Sequence, residues 1–171
     1  MERTLSTSLY QLSYREVRTY FVAALFVLGN IVLPQLCHLV PQGGLILLPI
    51  YFFTLIGAYK YGFTVGLLTA VCSPLVNHAL FGMPAAPMLA PILVKSVLLA
   101  AAAAFVARRC QSVSLVAIAL VVVLYQSVGM LAEWIMSGSW AVAVQDLRLG
   151  FPGILLQVFG GWAVLRYLMR R

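Results

Sequence analysis

Six apolar stretches, each bounded by charge, glycine or proline, divide this chain: 20–40, 45–59, 63–80, 88–107, 113–136 and 149–169. Most approach the roughly 20 residues that a helix needs to cross about 30 Å of hydrocarbon. The expected fold is an all-α integral membrane protein, a six-transmembrane-helix bundle forming a single domain over 1–171. The stretch 45–59 is short and contains Pro49, so it either spans with help from its flanks or is irregular where protein covers it. Composition agrees with the solvent implied. The chain is 63% hydrophobic and 9% charged with a mean hydropathy of +1.02, which leaves too little polar surface for a soluble globule.

The basic residues orient such a bundle. Arg3, Arg15 and Arg18 precede the first stretch, Lys60 joins the second and third, Arg108 and Arg109 join the fourth and fifth, and Arg166, Arg170 and Arg171 close the chain. The opposite connections carry only Arg148, so the positive-inside rule puts both termini in the cytoplasm. The net charge of +7 is thus an orientation signal, aided by anionic lipid headgroups, and no soluble basic domain exists to present it to nucleic acid.

Residues 1–19 are polar with Leu5, Leu9 and Leu12 at helical spacing, which predicts a short cytoplasmic helix on the membrane surface. The apolar run that follows is too long for the core of a cleaved signal peptide. Cys37, Cys72 and Cys110 fall at different depths and so do not pair, and no metal-ligand spacing accompanies them. No metal and no cofactor are therefore expected.

Small residues indicate how the helices pack. Gly62, Gly66 and Ala70 recur every four residues and continue to Ser73 and Asn77, while Gly153, Gln157, Gly160, Gly161 and Val164 make a similar stripe on the last span. Such faces let backbones approach closely in lipid, where no hydrophobic drive brings helices together.

Polar residues inside the spans concentrate in the outer half. An ionised lysine at mid-bilayer costs about 2.5 to 3.5 kcal/mol on insertion scales, so Lys95 in the fourth span and Glu133 in the fifth need a cavity or a partner. Gln126, Gly129, Met130 and Glu133 share one helical face. Asn77 and His78 end the third span on the outer side, and Gln157 comes near mid-depth. The convergence of Lys95, Glu133, Gln126, Asn77, His78 and Gln157 predicts a substrate pocket opening outward rather than a pore polar along its length. The plainer alternatives are an ion pair for Lys95 and Glu133, a capping role for His78 and interhelical hydrogen bonds for the glutamines. Trp134 and Trp140 suit an aromatic belt.

The 81–91 connection holds three prolines and a glycine, which predicts a stiff, non-helical loop over the pocket mouth. By contrast the connection Pro41-Gln42-Gly43-Gly44 reads as flexible.

The residues from Gly57 to Ser96 carry a resemblance. Tyr61-Gly62-Phe63, Ser73-Pro74-Leu75 and Phe81-Gly82-Met83-Pro84 resemble the substrate-binding S components of energy-coupling-factor (ECF) vitamin importers. The resemblance implies a bacterial cytoplasmic-membrane protein that binds a vitamin or its precursor from outside. It also implies docking to a transmembrane coupling subunit driven by two ATPases, after which the bundle topples in the membrane. Asn77, His78, Lys95, Gln126, Glu133 and Gln157 lie where that family would place ligand contacts. Where the family's docking motif repeats alanine along the first helix, this chain has Ala23 and Ala24 followed four positions later by Val27 and Leu28.

Two other classes compete. A non-catalytic membrane scaffold would use Lys95 and Glu133 as an internal clasp, and a stand-alone uniporter would work without ATPase subunits. An enzyme is not expected, because the sequence offers no HExxH, no paired acids and no serine set against a histidine. With Lys95 in the pocket, the expected ligand is a small anionic molecule.

Overall fold

The structure, a computed structural model, describes residues 11–169. It is all-helical, with no strand among the described residues. Among the described residues, five helical stretches are long and apolar enough to cross a membrane: Val17–Cys37, Phe63–Phe81, Ala86–Cys110, Leu115–Ser137 and Phe151–Met169. These make the chain a multi-pass membrane protein. We label them α1, α4, α5 and α6 in order, while the last divides into α9 (Phe151–Leu155), a π-helical turn (Leu156–Gly160) and α10 (Gly161–Met169).

The short second stretch is broken. It comprises α2 (Gly43–Leu47), a 3₁₀ turn (Pro49–Tyr51) and α3 (Phe52–Tyr61). Proline disfavours right-handed helix at the residue before it, so α2 stops at Leu47, and Leu48 takes a left-handed conformation with φ 47°. The break is sheltered inside protein, since Leu48, Tyr51, Leu55, Ile56, Ala58 and Tyr59 are all buried. Of the two readings of this stretch, irregular backbone covered by protein is the one found. The segment starts beside the end of α1 and finishes beside its beginning, where Leu12 N donates to Tyr61 O at 3.2 Å. At that end Tyr59 Oη donates to Ser112 O and Lys60 Nζ to Leu168 O, both at 2.8 Å. Thus α3 is the axle of the bundle, packed against α1, α4, α5 and α10.

Two segments differ from expectation. The stiff loop shrinks to residues 82–85, because α5 already begins at Ala86. Pro87 stands in its first turn, where a missing N–H breaks no helical bond, and Pro91 is tolerated inside α5 with its side chain buried. The Pro41–Gly44 connection makes a turn, with Gly43 N bonded to Val40 O at 2.9 Å. Residues 11–16 are not helical, and Leu12 is buried against the core instead of lying on a surface. Leu5 and Leu9 lie outside the described residues. The connection after α6 folds into two single-turn helices, α7 (Trp140–Ala143) and α8 (Gln145–Arg148).

The small-residue faces are where the helices meet. Gly66, Ala70, Ser73 and Asn77 are buried on α4, and Gly153, Gln157 and Gly161 on the last span. A side chain at Gly66 would put its Cβ 2.4 Å from Ala58 Cβ, so glycine sets the α3–α4 spacing. The opposite face of α1 exposes Phe21, Leu25, Leu28, Val32 and Leu36 in one stripe. In a bilayer that stripe meets lipid.

Candidate functional site

The deepest charge is met at once by two others. Lys95 on α5 is 2% exposed, and its ammonium is ion-paired with Glu133 on α6 and with Asp146 Oδ2 on α8 at 2.7 Å. Gly129 makes the first contact possible. A Cβ there would lie 2.8 Å from Lys95 Cγ, so the lysine stem crosses α6 over a glycine and reaches Glu133 one turn later. Asp146 ties α8 to the bundle through the same ammonium. The cluster holds one cation against two carboxylates, which leaves an arriving anion facing negative charge rather than an open lysine.

A second group surrounds Tyr125. Gln126 Nε2 donates to Tyr125 Oη at 2.9 Å, and Tyr125 Oη donates to Gln157 Oε1 at 2.7 Å. Gln157 is fully buried in the π-helical turn, a local widening that often marks functional positions. The Tyr125 ring packs on Tyr51, with centroids 5.7 Å apart.

A third group joins α1, α3 and α4. Asn30 Nδ2 donates to Thr54 Oγ1 at 3.1 Å and to Ser73 Oγ at 3.2 Å, while its Oδ1 accepts from Phe53 N at 3.2 Å. That last bond satisfies a first-turn N–H of α3, whose own start has no side-chain cap. Asn77 Nδ2 donates to Asn30 O and Ser73 O, both at 2.9 Å. His78 Nδ1 lies 2.7 Å from Pro84 O. A carbonyl can only accept, so the imidazole donates from Nδ1 and holds the residue 82–85 turn against α4.

Beside this third group lies a cavity of about 350 Å³. Its wall is built by the end of α1 (Pro34, Gln35), by α2 and Pro49, by Asn77, by Pro84 in the turn, and by the start of α5 (Met88, Ile92). No lysine, arginine, aspartate or glutamate lines it among the described residues. Two polar atoms on its lining residues are unpaired: the donor Gln35 Nε2 and the acceptor Asn77 Oδ1, both buried without a hydrogen-bond partner. Each such atom carries a desolvation penalty of about 1 to 3 kcal/mol. Lys95 sits three residues beyond Ile92, about 4.5 Å further along α5.

The six residues singled out from sequence therefore separate. Lys95 and Glu133 form the ion cluster, Gln126 and Gln157 join through Tyr125, His78 braces the turn, and only Asn77 lines the cavity. Sequence reasoning missed Asp146 as the second partner of Lys95, Tyr125 as the centre of its group, and Asn30 and Gln35 on α1. For Asn30 the signal was present, a lone amide in an apolar run, which is the same signal that singled out Gln126 and Gln157.

Fold and site together define a multi-pass helical membrane protein with a small, uncharged cavity at the end of the bundle opposite Lys60, Arg108 and Arg109. No family model, curated protein or solved structure matches the chain.

Proposed function

We propose that this protein is the substrate-binding membrane subunit of an ECF-type importer, capturing a small vitamin or vitamin precursor on the outer side of a bacterial cytoplasmic membrane. The observation that carries this reading is the cavity between α1, the broken second segment and the 82–85 turn. Its volume is within the range of small-molecule sites, and it has mostly apolar walls with a few polar atoms, as such sites do. It lies at the end poorest in basic residues, which the positive-inside rule makes the outer end, with both termini cytoplasmic and the second segment completing a sixth passage. A rigid helical cup that binds without catalysing suits a subunit whose transport step is driven elsewhere, by a transmembrane coupling subunit and two ATPases.

Thermal-shift screening of the detergent-purified chain against a vitamin panel tests the reading, because a ligand that binds only the folded state raises stability by mass action. A melting temperature that rises with the concentration of one vitamin is the expected result. No shift across the panel sinks the reading. Cysteines placed near Arg3 and Arg170 are expected to resist an impermeant label in intact cells, and labelling of both would invert the orientation.

The ion cluster favours a second reading. Lys95 held between Glu133 and Asp146 is the clasp that a non-catalytic scaffold would need. A scaffold gains no stability from any small molecule, so the same screen separates the two.

A further inference from the structure

The connection that follows α6 is fastened to the bundle at few points. Ala143 is the one buried residue of its two single-turn helices, α7 and α8. Trp140 packs edge-on against Trp134 of α6, with ring centroids 5.7 Å apart. Among the described residues, the bond of Asp146 Oδ2 with Lys95 Nζ at 2.7 Å is the one side-chain hydrogen bond or ion pair that joins residues 140–150 to another element. Charge balance does not require it. Glu133 alone neutralises Lys95 from a 23-residue helix, so what the second carboxylate adds is mechanical: it draws α8 down onto the bundle.

The far end of the same connection presses on the cavity wall. A Cβ on Gly150 would lie 2.7 Å from Leu48 Cδ1, and one on Gly153 would lie 2.5 Å from Leu47 O. Leu47 and Leu48 sit between Leu45 and Pro49, both of which line the cavity. Leu48 is the residue with φ 47°, and a non-glycine residue persists in the left-handed region only where its surroundings hold it. Gly150 packs as closely on Asp146 O, 2.6 Å from the same Cβ position, so the residue that holds Leu48 is placed by the residue that holds Lys95.

We infer that Asp146 is a latch: its bond to Lys95 keeps residues 138–150 closed on the cavity end of the bundle and, through Gly150 on Leu48, fixes the wall of the cavity formed by α2 and Pro49. The inference rests on the reading of the bundle as a substrate-capturing subunit only for what that wall encloses. With the latch closed the wall is held in one shape. With it open, α8 moves off the bundle, Leu48 loses the contact that keeps its backbone left-handed, and the wall loosens as a local opening below the cost of global unfolding. Asp146 is thus a positioning residue, which acts on the cavity without lining it. Latch and clasp are separable, because Lys95 keeps Glu133 when Asp146 lets go.

The test needs no ligand, so its outcome is independent of whether a vitamin binds. Amide hydrogen exchange is followed in the detergent-purified parent chain, in Asp146→Ala and in Glu133→Gln, together with trypsin cleavage after the exposed Arg148. The amides of Leu147, Arg148 and Leu149, bonded to Val144 O and Gln145 O, report on the connection. Those of Ile46 and Tyr51, bonded to Gln42 O and Leu48 O, report on the wall. In Asp146→Ala both sets are expected to exchange about tenfold faster, the value of one net hydrogen bond, while the long helices keep the parent's rates. Cleavage after Arg148 is expected to rise in proportion, since it follows the population of the open form. Glu133→Gln is expected to leave both sets at the parent's rates, because Lys95 then has Asp146 as its counter-ion. Asp146→Asn, which keeps the shape and one acceptor oxygen, is expected to give a smaller acceleration and serves if the alanine variant does not fold. Parent rates at Leu147, Arg148 and Leu149 in both Asp146 variants overturn the inference. So does acceleration there with parent rates at Ile46 and Tyr51, which would leave the wall uncoupled. Equal acceleration in Glu133→Gln also overturns it, because the cluster would then be a general support rather than a latch.

Discussion

The ion cluster around Lys95 and the cavity beside Asn77 lie at the same end of the bundle and share α5, yet their polar groups are in opposite states. In the first, an ammonium from α5 meets carboxylates from α6 and α8, and the three elements are tied by charge. In the second, two lining residues each hold a buried polar atom without a partner. Groups that complete one another hold a structure together, and groups left incomplete cost it stability. A buried charge attracts attention in an apolar sequence because it is expensive. Here that expense is met internally, and the cheaper amides are the ones left unpaired.

The sharpest way to break this contrast is Lys95→Met. Removing one partner of a buried ion pair destabilises by about 3 to 5 kcal/mol, because the charge left behind has no counterion. Here two carboxylates would be left, with Glu133 the more deeply buried. The expected outcome is a large fall in melting temperature in detergent. Adding Glu133→Gln is expected to recover most of it, since Asp146 is nearer the surface and can reach water. A single mutant that melts like the parent would show that Lys95 is not a structural clasp and would reopen it as a ligand contact.

Much of the fold was legible because lipid imposes one rule at a time. Helix length, continuous apolarity and the absence of charge located five long helices to within a few residues at most ends, and the four-residue repeat of Gly62, Gly66 and Ala70, continuing to Ser73 and Asn77, identified the buried face of α4. Proline was harder to read. Its meaning depends on position, harmless in the first turn of α5 at Pro87 but disruptive at Pro49, where it forces Leu48 out of the helical region. The site was legible only in part. Periodicity put Gln126, Gly129 and Glu133 on one face of α6, and that face is buried. Nothing in the spacing could show that Asp146, thirteen positions beyond Glu133 in a connection expected to lie outside the bundle, would return to the same lysine. Charge count gave a hint, since only four acidic residues occur and two of them precede the first span. Gln35 escaped notice because its importance lies in what it fails to bond, and that exists only once α1, α4 and α5 are assembled.

An intermediate effect is expected at Asn30, which belongs to the completed kind of polar group and bonds the cavity-lining Asn77. Asn30→Ala removes three side-chain hydrogen bonds and leaves Phe53 N without its acceptor. The expected loss is about 1 to 3 kcal/mol, read as a lower melting temperature of the unliganded protein. Because Asn77 bonds the backbone oxygen of Asn30 rather than its side chain, the position of Asn77 should survive and ligand affinity should fall less than stability. A variant with normal stability and abolished binding would move Asn30 from the frame of the cavity into the cavity itself.

The smallest expected effect is the most discriminating, because it reverses the sign of the first. Gln35→Met makes the same kind of change as Lys95→Met, replacing a polar end by an apolar one on a similar stem. At Lys95 the polar end has partners that suffer by its loss. At Gln35 the Nε2 has none, and its desolvation is uncompensated in the folded state. Removing a buried unpaired donor together with its polarity relieves that penalty, so unliganded stability is expected to stay level or to rise by up to about 1 kcal/mol. Thermal melts of the two variants in the same detergent measure the difference directly. A fall of about 2 kcal/mol or more at Gln35 would mean that its amide is bonded within the folded chain. The two regions would then differ in charge alone, with no division between groups that hold the bundle and groups left unpaired within it.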